Sequence, residues 1–153
     1  MSIKLLRHNK TTGDCGIVAA FNAAQWCNSP KTYKSIEKIA KTCGYNTQKG
    51  IFFFQFAHLL GKLRLPTKRI KPKSVKELEN KLDAGKCLLI LYTPSSDENG
   101  HAIMVFIDHT GRIIIINPQK NGPQTWWRFT WDLVLNGVRN LAVYELPRRS
   151  KRQ

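Results

Sequence analysis

Gly13-Asp14-Cys15-Gly16-Ile17-Val18-Ala19-Ala20-Phe21-Asn22-Ala23-Ala24-Gln25-Trp26 is the stretch that decides the fold. From Cys15 onward it is rich in alanine and apolar around most of its circumference. It therefore reads as a helix buried on most sides rather than one lying on a surface. Thr11, Thr12 and Asp14 stand just upstream and offer N-cap chemistry. Cys15 then falls in the first helical turn, where unpaired N–H groups and the positive end of the helix dipole favour thiolate over thiol. A free cysteine is more commonly a small buried hydrophobe, so the functional reading of Cys15 depends on what the rest of the chain supplies.

Outward from this helix, residues 1–13 read as an extended lead-in, and Cys27-Asn28-Ser29-Pro30 is a stop signal. The segment 33–41 has apolar residues at 33, 36, 39 and 40 and lysines at 34, 38 and 41, an amphipathic surface helix closed by Gly44. Residues 51–61 (IFFFQFAHLLG) are continuously apolar. Their length and flanking glycines favour a buried helix over a strand, with the phenylalanines packed in the core rather than lining a groove. Residues 65–70 read as a short strand. Ser74 caps a helix over 75–84, with Glu77 completing a capping box, and Gly85 ends it.

The second half reads as strands. Leu88–Tyr92 is apolar on both faces, 94–100 is a polar loop, and His101 opens the strand 102–107. Asp108–Gly111 turns the chain into Ile113–Ile116, which ends at Asn117-Pro118. Trp126, Trp127, Phe129 and Trp131 form an aromatic stretch suited to covering the sheet and a cleft, and 141–146 is a last strand. Helices fill the first half and an antiparallel sheet the second, so the expected class is α+β in two segregated layers. Residues 1–147 form a single domain, and 148–153 are a basic tail expected to be disordered.

A chain of 153 residues is long enough for a core without staples. No apolar run approaches the roughly 20 residues needed to span a bilayer. The N-terminus is too short and too charged for a signal peptide, which points to a cytoplasm-like compartment. Cys15, Cys27, Cys43 and Cys87 are widely spaced, with no C-x-x-C pair. Neither a disulfide framework nor structural zinc is expected, and the last three read as reduced packing residues. The charge is unusual: 25 Lys and Arg against 10 acids, a formal net charge of +15. Such a field attracts polyanions in a salt-sensitive way. The densest patch is Lys62, Arg64, Lys68, Arg69, Lys71 and Lys73, with Arg148 and Arg149 in the tail.

A cysteine nucleophile needs a base that takes its proton and later protonates the leaving group, and imidazole has the right pKa. The imidazole needs an orienting acceptor. His101 lies at a strand start, and its hairpin partner ends at Asn117, so the hairpin sets His101 beside Asn117. His8 is the backup base, while His58 and His109 read as ordinary surface or core histidines. An oxyanion hole would use the Cys15 backbone N–H and an upstream side-chain amide, for which Asn9 is the candidate.

Asp14-Cys15-Gly16 opening an apolar helix, Gly100-His101 starting a strand and Asn117-Pro118 ending its partner together resemble the papain-like cysteine peptidases. Among them the chain is most similar to the branch that cleaves bacteriocin leaders after a double glycine. The helices ending in Leu60-Gly61 and at Gly85 before an apolar strand add to that likeness. The resemblance implies a papain-like fold with Cys15 as nucleophile, His101 as general base and Asn117 as the orienting residue, acting on a protein or peptide without a cofactor. The leader peptidases usually carry Asp at the last position and papain-type enzymes Asn. Asn9 stands where the family has its oxyanion Gln, one methylene shorter. Those peptidases are commonly fused to a transporter, so their substrate is not carried over.

Two other readings stand beside this one. The scaffold with a vestigial site would serve as a basic nucleic-acid-binding module. Alternatively, the same thioacyl chemistry would serve deamidation or ligation. A peptidase concentrated on nucleic acid or inside a virus-like particle by its charge combines the first two.

Overall fold

The computed structural model describes residues 14–46, 51–95, 100–116, 125–127, 129–130 and 137–148. The elements run α1 (Cys15–Trp26), α2 (Tyr33–Thr42), α3 (Phe53–Lys62), β1 (Lys68–Ile70), α4 (Val75–Asp83), β2 (Cys87–Pro94), β3 (His101–Ile107), β4 (Ile113–Ile116) and β5 (Val138–Leu146). The strands form one sheet in the order β1-β5-β2-β3-β4. Every neighbouring pair is antiparallel. The α+β class follows as expected from the sequence. The last strand, β5, slots between β1 and β2, and it begins three residues earlier than the apolar run at 141–146 suggests. β1 is shorter than its sequence segment, starting at Lys68 rather than Leu65.

Alternation along β2 explains the layering. Cys87, Leu89 and Leu91 join α1, α2 and α3 in one apolar cluster. Leu88, Ile90 and Tyr92 join Leu78 and Leu82 of α4, with Trp126 and Phe129, in another. The sheet is thus covered on both faces, which corrects the two-layer expectation. A central strand apolar on both sides exposes a hydrophobic face unless something packs there. The Leu78/Leu82 pair, one turn apart on α4, supplies that cover. Trp126 is buried there, while Trp127 faces solvent.

α1 is buried almost all round, its alanines letting the sheet approach closely. Its far end is tied down by the Trp26 indole N–H, which donates to the Pro147 carbonyl (2.9 Å), and by the Trp26 ring against Phe106. Asn28 leaves the helix in the left-handed region (φ 59°), a position where Asn substitutes for Gly. α2 behaves as its pattern predicts, with Ile36 and Ala40 buried and Thr32 Oγ1 accepting the Ser35 N–H (3.1 Å). α3 begins at Phe53, later than Ile51, and Gln55 Oε1 accepts the Phe52 N–H (2.8 Å) just before it. Only Phe56 of the phenylalanine cluster is fully buried. Phe52 and Phe54 are 54% and 74% exposed and stack on each other, correcting the all-core reading. A helix faces its core on one stripe only, and Phe56, Leu59 and Leu60 occupy it. At α4, Ser74 Oγ accepts the Glu77 N–H (3.2 Å) as predicted. The Glu77 carboxylate accepts the Lys73 N–H (2.9 Å), one residue before the cap, so the capping box is shifted.

Among the described residues no helix is long and apolar enough to cross a membrane, and no group of three His, Cys, Asp or Glu side chains is placed to hold a metal ion. All four cysteines are free.

Candidate active site

Cys15 is the first residue of α1, and α1 packs against β3, the strand that His101 opens. The fold therefore brings the amino end of the helix to the start of the strand. The Cys15 sulfur receives the backbone N–H of Ala102, the residue that follows His101, together with the N–H groups of Gly16 and of Cys15 itself. Two of these N–H groups belong to the helix start that the sequence points to, and the third comes from β3.

The balance of effects on that thiol differs from the sequence expectation. Burial is the largest influence and raises the Cys15 pKa. The surrounding N–H groups pull it down, and the charge of Asp14 adds to the rise. Burial thus pushes the Cys15 thiol up from its ordinary value, against the lowering that the helix start alone would give. Removing a sulfur anion from water costs more here than the helix dipole and N–H groups return.

Asp14 also corrects the cap reading. It occupies the N-cap position, but its backbone (φ −91°, ψ 6°) lies outside the extended region usual for a cap, and its side chain makes no cap hydrogen bond. Instead the buried carboxylate turns sideways, and Oδ2 accepts the Tyr33 hydroxyl from the first turn of α2 (3.3 Å). Burial first, then the Asp14 charge and that hydrogen bond, hold the Tyr33 phenol far above its ordinary value. Tyr45, in the segment after α2, is buried with a hydroxyl that meets no hydrogen-bond partner among the described residues. Its phenol is raised by burial and, to a lesser degree, by the charges of Glu37, Asp14 and Cys15. Tyr33 and Tyr45 carry no sequence signal as site residues, because only the α1–α2 packing brings them to Asp14.

His101 is half-buried at the end of the sheet. It pairs in register with Tyr92 of β2, whose ring meets the imidazole edge-on at 6.0 Å. Tyr92 is in turn edge-on to Phe129 (5.4 Å). Sequence reasoning missed Tyr92, since a cross-strand partner is defined by register alone. Gly100 sits tightly against Thr93 and Phe53. A Cβ there would stand 3.2 Å from Thr93 Oγ1 and 3.6 Å from the Phe53 ring. At the helix, a Cβ on Gly16 would collide with Ile51 Cγ2. Ile51 and Phe53, at the start of α3, thus stand beside Gly16 and Gly100, flanking Cys15 and His101 in sequence and space. Asn117, Asn9 and His8 lie outside the described residues. His58 is exposed on α3, and His109 is exposed in the β3–β4 turn, away from the site.

No family model matches the sequence, and no curated protein does. Among solved structures the chain is similar to the crystal structure of a "putative C39-like peptidase" from Bacillus anthracis. The TM-score is 0.64 at 13% sequence identity, over 97% of this chain and 96% of that one. The chain therefore shares its fold with a protein so described, mixed helices on an antiparallel sheet, across almost the whole length of both.

Proposed function

We propose that the protein is a cysteine peptidase that cleaves a peptide bond through a thioacyl intermediate on Cys15. The observation that carries this reading is the Cys15 sulfur at the start of a buried helix, against the Ala102 N–H directly after His101. The likeness to a C39-like peptidase fold supports it.

In this mechanism the resting nucleophile is a thiol, and the rise that burial gives its pKa supports that choice. The His101 imidazole takes the Sγ proton as sulfur attacks the carbonyl carbon, so the anion forms only where its charge passes on to the carbonyl oxygen. The Cys15 and Gly16 N–H groups at the amino end of α1 stabilise that oxyanion, with the Asn9 amide proposed as a further donor. The His101 imidazolium then protonates the departing amine. A water deprotonated by His101 attacks the thioester and releases the acid, returning the proton to sulfur. Asn117 is proposed to accept from the imidazole and hold its tautomer, while Tyr92 braces the ring edge.

The test is the pH dependence of Cys15 alkylation by iodoacetamide, read by mass spectrometry on wild type and His101→Ala. Imidazole-assisted alkylation of Cys15 near neutrality that disappears in His101→Ala is the expected result. Equal pH profiles for the two proteins would remove His101 as the base and with it this mechanism.

A further inference from the structure

The structure divides the basic patch that the sequence groups at 62–73. Arg69 is occupied, its guanidinium over the Tyr144 ring (5.5 Å) and donating to the Leu141 carbonyl (3.4 Å). Lys68 stands opposite Glu145 in the β1–β5 register. That carboxylate already pairs with Lys81 (3.2 Å) and Lys86 (3.5 Å). Lys62 and Arg64 part from this group at the end of α3. The Lys62 ammonium donates to Thr42 Oγ1 (2.9 Å), joining the end of α3 to the end of α2.

α2 carries exposed lysines at 34, 38 and 41, one per turn on its solvent face. Along the helix they span about 10 Å at 1.5 Å per residue. The Lys62–Thr42 contact continues this row onto Lys62 and Arg64, both exposed. Glu37 is the single acid in residues 31–46 and 58–64. It is half-buried, and its charge acts on Tyr33 and Tyr45, on the inner side of α2. Arg64 closes α3 in the left-handed region (φ 55°), where glycine is the unstrained choice. Among the described residues the exposed large apolar side chains are Phe52, Phe54, Trp127 and Leu141, and none of them is a member of the row.

We infer that Lys34, Lys38, Lys41, Lys62 and Arg64 form one surface that binds the phosphate backbone of nucleic acid. The composition selects the partner class. Protein partners bind through apolar and aromatic anchors, with lysine depleted from the interface centre. A single-sign row of lysines without apolar anchors suits a polyanion that gains affinity by releasing counterions. None of these five side chains is given a part in the chemistry at Cys15, so binding and cleavage can be tested apart.

The experiment is fluorescence anisotropy of a labelled mixed-sequence 24-base-pair DNA duplex, titrated with the full chain at several salt concentrations. A poly-glutamate chain of matched charge serves as the competitor. Five phosphate contacts give a log–log salt slope of about −4.5, which is roughly a 500-fold loss of affinity between 50 and 200 mM salt. The triple variant Lys34→Gln, Lys38→Gln, Lys41→Gln should flatten the slope by about 2.7 units. The double variant Lys62→Gln, Arg64→Gln should flatten it by about 1.8. Each variant is checked for an unchanged circular-dichroism melt, and the second carries the test if the first fails to fold. Cys15→Ala should bind as wild type does, which separates this result from the peptidase reading. Salt slopes unchanged in a folded variant would overturn the assignment. So would poly-glutamate competing as well as duplex of equal charge, which would point to an acidic protein partner.

Discussion

Gly16→Ala is the most exposing single change near the nucleophile. A methyl at that position overlaps Ile51 Cγ2, while Phe56 Cδ1 (3.7 Å) and Ile51 Cβ (3.8 Å) stay at ordinary contact distance. Ile51 is β-branched and stiff about χ1, so its methyl does not swing aside freely. Overpacking of this kind costs about 1–3 kcal/mol. Alanine returns up to about 1 kcal/mol of helix propensity. A net loss of about 1–2 kcal/mol is expected, a fall in Tm of roughly 2–8 °C for a chain of this size. Because Gly16 N–H faces the Cys15 sulfur, Cys15 alkylation should slow as well. The partner changes make the test specific. Ile51→Ala removes Cγ2 and leaves Cβ at its ordinary 3.8 Å, whereas Ile51→Val keeps Cγ2. Urea unfolding of the four members of each double-mutant cycle should show that Ile51→Ala recovers about 1–2 kcal/mol of the Gly16→Ala penalty and that Ile51→Val recovers almost none. A neutral or stabilising Gly16→Ala, or equal rescue by valine, would refute the packing of α3 against the start of α1.

Asp14→Asn keeps an acceptor for the Tyr33 hydroxyl but removes a charge that raises the Cys15 thiol. The midpoint of Cys15 alkylation against pH should move down, and an upward shift would contradict the placement of that charge. Cys27 is pushed up to about 11 by burial. In a Cys15→Ala background its alkylation rate should climb about tenfold per pH unit up to pH 10 and level off above 11, since thiolate is the reactive form. A plateau near pH 9 would show an exposed thiol instead. Ser74→Ala deletes the acceptor of the Glu77 N–H and should cost about 1 kcal/mol by urea unfolding. A change below about 0.3 kcal/mol would mean that water or another group caps α4 as well.

The elements themselves were legible because their patterns are local. The lysine and isoleucine spacing of α2, the Ser74 cap and the unbroken apolar run of β2 each specify a conformation within about ten residues. The same holds for the placement of Cys15 at the start of a buried helix and of His101 at the start of a strand, so both could be named as candidates from spacing and from the family resemblance. What spacing does not carry is register and packing. The insertion of β5 between β1 and β2, and the covering of the second sheet face by α4 with Trp126 and Phe129, depend on long-range burial that many local patterns satisfy equally. The direction of the Cys15 pKa shift is of this kind. A helix start by itself predicts a lowered pKa, and only the tertiary burial of the sulfur beside Asp14 reverses the sign. The roles of Tyr33, Tyr45 and Tyr92 likewise arise where separate elements meet. The row of cations from Lys34 to Arg64 is joined by one hydrogen bond between two helix ends twenty residues apart. The sequence by itself determined which residues are charged, which are apolar and which bear reactive groups. The tertiary structure decided which of them meet, because burial and charge interactions act through space and not along the chain.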